Sequence, residues 1–341
     1  MQTFTGSEYV KIDVANCFGL DKLDWNDRLD WFDKHDGQLW DAVDEAKEPE
    51  MFRKALYAWE DVQAGNPSGH HVGLDACSSG YQIMAALSNC HTTAAQCGLI
   101  DTGHREDAYM NLTHEMNRIL PKADHIVIGN DPDKVSHADI KSAGMKVPYG
   151  SKKVPKDILI EDSPQYNAFY QAIFNIVPGT MDVLKSTLGL WQPYALHHKW
   201  TLPDGHVAYV PIMTEVDKKI EIDELDHATF THRIYINEGT ERGLSLAANI
   251  IHSIDAYIMR QMVKMANKAG FHLLCIHDAF HAHPNYCNQV RYFYREILAQ
   301  IADMNLMQDI AREITGNQRI VYNKLGSGLA KEIRFSNYAL S

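Results

Sequence analysis

A short apolar run that ends on an acid is the strongest local constraint on how this chain can fold. Residues 271–276 (FHLLCI) are mostly apolar, and His277 and Asp278 follow them directly. A run this short and this apolar predicts a buried strand rather than a helix. An isolated charge at the end of a buried strand is costly, so Asp278 is expected to be paired, metal-bound or strained.

A second acid follows another strand-like segment far upstream in the sequence. Val72 and Leu74 precede Asp75, and the small residues Ala76 to Gly80 follow it. Acids on adjacent strand ends can share divalent cations, and Mg²⁺ favours oxygen ligands of this kind. Two such ions can stabilise both the attacking and the leaving oxygen in phosphoryl transfer. Spacing alone does not single out this chemistry, because any α+β protein has acids at strand ends.

Periodicity and turn chemistry predict an α+β fold. The predicted helical segments are residues 23–64, 81–97, 105–120, 244–268 and 286–303, and the predicted strands are 72–75, 271–276 and a hairpin within 197–213. The turn of that hairpin is Pro203-Asp204-Gly205. On the 244–268 helix an apolar stripe at helical spacing predicts a core face, which leaves His252 and Asp255 on a separate face.

Composition is typical of an ordinary globular protein, with 341 residues, 45% hydrophobic and 22% charged. No apolar run approaches about 18 residues, and the N-terminal segment lacks basic and apolar regions, so neither a membrane span nor a secretory signal is expected. Six cysteines without a CxxC pair predict reduced thiols in a cytoplasmic compartment, that of a host cell if the protein is viral. The net charge of −12 argues against a free-standing nucleic-acid binder, although basic residues cluster at 141–156.

Three ordered segments resemble the motifs of the single-subunit, bacteriophage and mitochondrial type RNA polymerases. DACSSGYQ (75–82) resembles motif A, IKSAGMKVPYGS (140–151) resembles motif B, and IHDAF (276–280) resembles motif C. Their order and separations also match. Similar flanking segments are ANCFGLDKLDWNDRLDWF (15–32), WTLPDGHVAY (200–209), HSIDAYIMRQ (252–261) and the terminal FSNYALS.

The resemblance implies an α+β, right-hand polymerase fold that is mostly helical with a small antiparallel palm sheet. Residues 1–91 would form the first part of the palm, 92–245 the fingers, and 246–341 the second part of the palm with the C-terminal tail. Met1 corresponds to a point well inside the family's usual length, and no DxxGR motif occurs in the chain. The N-terminal domain and most of the thumb are therefore expected on a second polymerase subunit, as in split, two-subunit phage-type polymerases.

The resemblance also implies template-directed RNA synthesis by a two-metal mechanism. Asp75 and Asp278 would bind two Mg²⁺ ions, and Lys141 would neutralise the incoming triphosphate and protonate the pyrophosphate leaving group. His277 is expected to be a structural neighbour of the metals. The partners would be a DNA template, the RNA product and ribonucleoside triphosphates, with no membrane.

One position departs from the family pattern. His137, four residues before Lys141, stands where the family usually has Arg. A neutral imidazole binds phosphate more weakly than a guanidinium and depends on pH, so weaker triphosphate binding is expected here. Lys146, Lys152 or Lys153 could also bind the triphosphate.

The choice of RNA over DNA as product depends on Gly80. DNA-making relatives have Glu at this position, where it collides with a ribose 2′-hydroxyl. Gly80 leaves space for that hydroxyl, and the resemblance places Tyr149 and His252 where they can hydrogen-bond to it. A site that bonds a hydroxyl rejects analogues lacking it, so ribonucleotides are predicted. Pro148, directly before Tyr149, should end or kink the motif B helix.

Three alternative interpretations remain. A DNA polymerase fragment is disfavoured by Gly80, and a non-catalytic scaffold subunit is disfavoured by the intact motif residues. The third is a non-haem iron or zinc enzyme, because a 2-His-1-carboxylate site suits such metals. Its ligands would be His277, Asp278, His281 and His283.

Overall fold

The computed structural model describes residues 1–129, 131, 134–237 and 244–341 of the chain. Its helices are α1 (Gly6–Ala15), α2 (Trp25–His35), α3 (Pro49–Ala64), α4 (Ser79–Ser88), α5 (His91–Gln96), α6 (Ala108–Ile119), α7 (His137–Gly144), α8 (Lys153–Leu159), α9 (Pro164–Ile176), α10 (Pro178–Leu188), α11 (Leu244–Ala269), α12 (Cys287–Asp303), α13 (Leu306–Thr315) and α14 (Leu329–Ile333). Its strands are β1 (Val72–Asp75), β2 (His197–Thr201), β3 (Val207–Pro211), β4 (Thr214–Ile222), β5 (Ala228–Ile236), β6 (Leu273–Ile276) and β7 (Ala279–Ala282). The predicted α+β class, mostly helical with small antiparallel sheets, is confirmed.

A three-stranded antiparallel sheet joins the beginning and the end of the chain. The strand order is β1-β7-β6, so β7 lies in the centre. Asp75 at the end of β1 pairs with Ala279 at the start of β7, and the β6–β7 hairpin turns at His277 and Asp278. The sheet therefore brings Asp75 and Asp278 close together at the same end of its strands. His277 has a left-handed backbone, with φ of 55°, which is uncommon for a non-glycine residue and marks the tight turn.

The strand before Asp278 forms as predicted, but its predicted burial is wrong. Leu274 is 56% exposed and Ile276 is 52% exposed. Side chains alternate between the two faces of a strand. The face of β6 that carries Leu274 and Ile276 is not covered by any of the residues described. Apolar composition alone could not distinguish a strand covered on both faces from this one.

The helices α4, α11 and α12 form the centre of the core behind the sheet. Every residue of α4 from Gly80 to Ser88 is buried, and α12 packs against both α4 and α11. The predicted stripe on α11 is confirmed, since Ile251, Ile254 and Ile258 are buried. This packing fixes the helix that follows Asp75 and the helix that carries His252.

Two of the predicted helical segments are interrupted. The 81–97 segment breaks at Asn89, whose φ of 53° is left-handed, and resumes as α5. The Asn89 side chain donates to the carbonyl of Ala302 and accepts from the amide of Leu329, which offsets the cost of leaving the helix. The 23–64 segment is likewise two helices, α2 and α3, joined by short 3₁₀ turns. The predicted hairpin within 197–213 is confirmed as β2–β3.

The last residues of the chain pack beside β1. The amide of Ser341 donates to the carbonyl of Asp75 at 2.9 Å, and the amide of Asp75 donates back to Ser341 at 3.3 Å. Two buried arginines of α12, Arg291 and Arg295, donate to the carbonyls of Asn337 and Ser336. The backbone of Asp75 is thus held on both sides, by β7 and by the tail. Among the described helices, none is long and apolar enough to span a bilayer.

Candidate active site

A cavity of about 500 Å³ opens at the end of the central sheet where Asp75 and Asp278 lie. Five of the predicted site residues line this cavity: Asp75, Gly80, Lys141, Tyr149 and Asp278. They come from β1, α4, α7, the turn after α7 and the β6–β7 hairpin. The fold therefore brings the three motif segments to one place, although they are far apart in sequence.

Asp75 and Asp278 form a pair of like charges in this cavity. The amide of Ala76, next to Asp75, donates to the carbonyl of Asp278 at 3.2 Å, so the two chain segments are adjacent. Partial burial by the cavity walls raises the pKa of Asp75, and the negative charge of Asp278 raises it further. Among the described residues, neither carboxylate has an ion-pair partner or a side-chain hydrogen bond. Such a pair is stabilised by a bound cation.

Tyr149 lies in a separate turn after α7, as Pro148 predicts. The helix ends at Gly144, and residues 147–149 form one 3₁₀ turn. The ring of Tyr149 stacks on that of His252, with centroids 4.8 Å apart and planes 11° apart. His252 itself is exposed on α11 and does not line the cavity.

Gly80 is also required by packing, which sequence analysis did not foresee. A Cβ at Gly80 would lie 3.0 Å from Cβ of Pro148 and 3.5 Å from the hydroxyl oxygen of Tyr149. The motif B turn therefore rests directly on the first turn of α4. A side chain at this position would require Pro148 to move by a few tenths of an ångström.

The basic residues of the cavity differ from those that the sequence suggested. Lys141 lines it, on a helix that begins with a capping box formed by Ser136 and Asp139. His137 does not line it. Its Nδ1 lies 2.9 Å from Oγ1 of Thr113, and burial lowers the pKa of its imidazole, which favours the neutral form.

Three basic residues in the cavity wall carried no predicted role. They are Lys22, Lys47 and Arg105. Lys146, Lys152 and Lys153 do not line the cavity. Lys22 lies in a segment that resembles the polymerases, but only the fold shows that its side chain reaches the same cavity as Lys141.

Comparison with known protein families favours the polymerase interpretation. A family model described as DNA-dependent RNA polymerase matches residues 3–167 and 199–334, most of the chain. The chain belongs to the DNA-dependent RNA polymerase family. All the predicted site residues fall within the matched segments.

Two chloroplast proteins are similar to this family member over most of its length. They are DNA-directed RNA polymerase 3 of Nicotiana sylvestris and DNA-directed RNA polymerase 3A of Nicotiana tabacum, each 21% identical over 364 aligned positions. The alignment covers 90% of this chain and 36% of each relative. The chain thus spans about a third of the length of the curated relatives it matches.

The alternative iron or zinc site does not form among the residues that the structure describes. Only His281 and Asp278 of its four ligands line the cavity, and Nδ1 of His283 accepts from the amide of Asn285. Within the described ranges, the one group of three or more possible metal ligands with all atoms within 4.8 Å lies at the exposed end of the β4–β5 hairpin. That group is Glu221, Asp223 and His227.

Asp255 is a third acid near the pair, and sequence analysis gave it no role. It lies one turn after His252 on α11 and is half-buried. Burial raises its pKa from 3.8 to about 6, and the charge of Asp278 adds to the effect. Its position on the non-core face of α11 was the available signal, but its proximity to Asp278 is a property of the fold.

Replacing Asp255 by Asn is expected to stabilise the metal-free chain at neutral pH. Between pH about 4 and 6 the folded chain retains a proton that the unfolded chain has lost, so the free energy of unfolding falls as pH rises through this window. By about pH 7 the loss is nearly complete, and Asp255→Asn should recover about 1–3 kcal/mol. Denaturant unfolding at pH 5, 6, 7 and 8 measures this difference. An Asn variant that is less stable at pH 7 and keeps the same slope would contradict it.

Proposed function

We propose that this chain carries the nucleotidyl-transfer site of a DNA-directed RNA polymerase, which adds ribonucleotides to an RNA 3′ end on a DNA template. The main support is the convergence of Asp75, Asp278 and Lys141 on one cavity in a member of this family. The substrates would be ribonucleoside triphosphates. A second polymerase subunit supplying further domains stays a prediction.

In this proposal residues 1–91 and 246–341 form the palm, and 92–245 form the fingers. The central sheet supports this division, because β1 comes from the first segment and the β6–β7 hairpin from the last. The motif B helix α7 and the β2–β3 hairpin lie in the intervening segment. The palm would hold the acids, and the fingers would supply Lys141 and Tyr149.

The residues of the cavity fit divalent cations. Its described wall contains seven Asp and Glu side chains but only four Lys and Arg side chains, so a triphosphate would be repelled without added positive charge. Asp75 and Asp278 would hold two Mg²⁺ ions, since Mg²⁺ prefers carboxylates with substrate phosphates and water. Bound Mg²⁺ would stabilise charge on the attacking and leaving oxygens.

Lys141 and Tyr149 would act on the incoming nucleotide. Lys141 would neutralise the triphosphate and provide a proton for the departing pyrophosphate. Tyr149, held between His252 and Gly80, would lie beside the ribose. The neutral His137, bonded to Thr113, would contribute little to phosphate binding.

Tyr149→Phe is expected to relax sugar discrimination by about tenfold while leaving catalysis largely intact, because one hydrogen bond to the 2′-hydroxyl is lost. The phenyl ring retains the stacking on His252. The ratio of kcat/KM for ribonucleotides to that for deoxynucleotides measures the effect. Unchanged rejection of deoxynucleotides by the Phe variant would remove Tyr149 from this role.

The function itself is tested by primer extension. An RNA primer on a single-stranded DNA template is incubated with Mg²⁺ and either ribonucleotides or deoxynucleotides, with and without any chain that co-purifies. Extension with ribonucleotides that stops on addition of EDTA is expected. Absence of extension in both preparations, or equal use of deoxynucleotides, would overturn the proposal.

A further inference from the structure

We propose that Lys47 binds a phosphate group of the incoming nucleotide, an inference that rests on the proposed function. Lys47 precedes α3 and lines the cavity from the wall formed by the N-terminal helices. No motif resemblance covers it. It would supply the positive charge that His137 lacks.

The backbone holds Lys47 in a fixed position. Its amide donates to the carbonyl of Phe18 at 3.1 Å, and the amide of Glu48 donates to the carbonyl of Cys17 at 3.1 Å. These bonds attach the segment to the irregular helical turn Asn16–Leu20. A lysine held in this way loses less conformational entropy on binding than one on a free loop.

Gly19 lets the lysine stem approach this turn. Its φ of +115° is one that L side chains rarely adopt, and a Cβ there would lie 3.2 Å from Cβ of Lys47. The Lys47 stem therefore packs on backbone, while 62% of its side chain remains exposed. The Lys47 stem thus lies against Gly19, and most of the side chain, which lines the cavity, is accessible.

The charges around Lys47 leave the ammonium group available. Nζ of Lys47 and Nζ of Lys22 each lie 3.6 Å from an oxygen of Asp21, so one carboxylate is shared by two cations. Exposed pairs of this kind contribute little stability. In the described part of the chain, Asp21 is the only ion-pair partner that Lys47 has within 4.0 Å. A phosphate can therefore displace or join Asp21, and lysine suits phosphate as a point charge.

Asp21, Lys22 and Lys47 line the same cavity as the acid pair. The charge of Asp21 raises the pKa of Asp75, and that of Lys22 lowers it. Lys47 lines the same cavity as Asp75 and Asp278, so a phosphate bound there would share that cavity with the proposed metal ligands. Lys47 and Lys141 therefore line one cavity from different segments, the first just before α3 and the second on α7.

Binding measurements on the full chain test this inference. Isothermal titration with magnesium tripolyphosphate, a magnesium ribonucleoside triphosphate and a short single-stranded RNA separates a triphosphate site from a backbone-phosphate site. Lys47→Gln is expected to weaken the first two by about tenfold and leave RNA binding unchanged. Lys47→Arg should restore binding to within about twofold of the original, since the charge returns. Lys34→Gln, an exposed lysine on α2, is the matched control and should change nothing.

The outcomes separate this inference from the proposed function. Unaltered tripolyphosphate binding by Lys47→Gln, or a loss confined to RNA, would overturn the role of Lys47. If Lys47→Gln extends a primer with an unchanged KM for the nucleotide, the role of Lys47 is likewise overturned, but the proposed function stands. Conversely, a chain that binds tripolyphosphate through Lys47 but extends no primer would contradict the polymerase proposal alone.

Discussion

Asp278→Asn is expected to reduce nucleotide addition by a factor on the order of 10³ without unfolding the chain. The substitution removes one of the two carboxylates, and Mg²⁺ binds a neutral amide far less well than a carboxylate. It also removes a charge that raises the pKa values of Asp75 and Asp255. The metal-free variant should therefore be at least as stable as the original chain. Primer extension and denaturant unfolding measure the two effects separately.

The control for this prediction is Asp157→Asn, because Asp157 is exposed on α8 and does not line the cavity. Both variants lose one negative charge, so a general electrostatic effect would appear in both. Normal extension by a folded Asp278→Asn chain would end the two-metal proposal. Unfolding of that variant would instead show that Asp278 is structural.

Gly80→Val is expected to lower kcat/KM for ribonucleotides by about 10²-fold, because a displacement of about 1 Å near a reacting group can cost this much. Even a Cβ there lies 3.0 Å from Pro148, and the two methyl groups of Val add to the crowding. The turn that carries Tyr149 must therefore shift. The added side chain also occupies the space assigned to the 2′-hydroxyl, so ribonucleotides should suffer more than deoxynucleotides.

Single-nucleotide insertion kinetics with both sugar types test this prediction, and Gly80→Ala should give an intermediate loss. Gly37→Val is the matched control, since nothing lies within 4 Å of the Cβ position at Gly37. Full activity of Gly80→Val would show that the Pro148 turn moves at no cost. An equal loss for both sugars would support the packing role and remove the sugar-selecting one.

Local patterns predicted the elements that depend on short-range chemistry. The turn residues Pro203 to Gly205 predicted the β2–β3 hairpin, and the apolar stripe predicted α11 almost to its ends. The proximity of Asp75 and Asp278 could not be predicted from local patterns. Spacing did not require it, and the expectation came from the resemblance to polymerase motifs.

Other features depended on contacts that no local pattern encodes. Asn89 interrupts a helical segment because its side chain finds partners at Ala302 and Leu329, both distant in sequence. Leu274 remains exposed because no described residue packs over its face of β6. Lys47 reaches the cavity through backbone hydrogen bonds to the turn at Phe18. In each case the deciding partner is set by tertiary packing, which overrides local propensity.

The strand pairing of the central sheet determines when the acid pair can form during synthesis of the chain. Its first strand pairs with one that follows only at residues 279–282, so the pairing has a large loop-closure cost. A nascent chain leaving the ribosome therefore carries Asp75 without its counterpart until residue 278 has been made. Chains released early by a stop codon or protease before β7 would lack the acid pair and should be inactive.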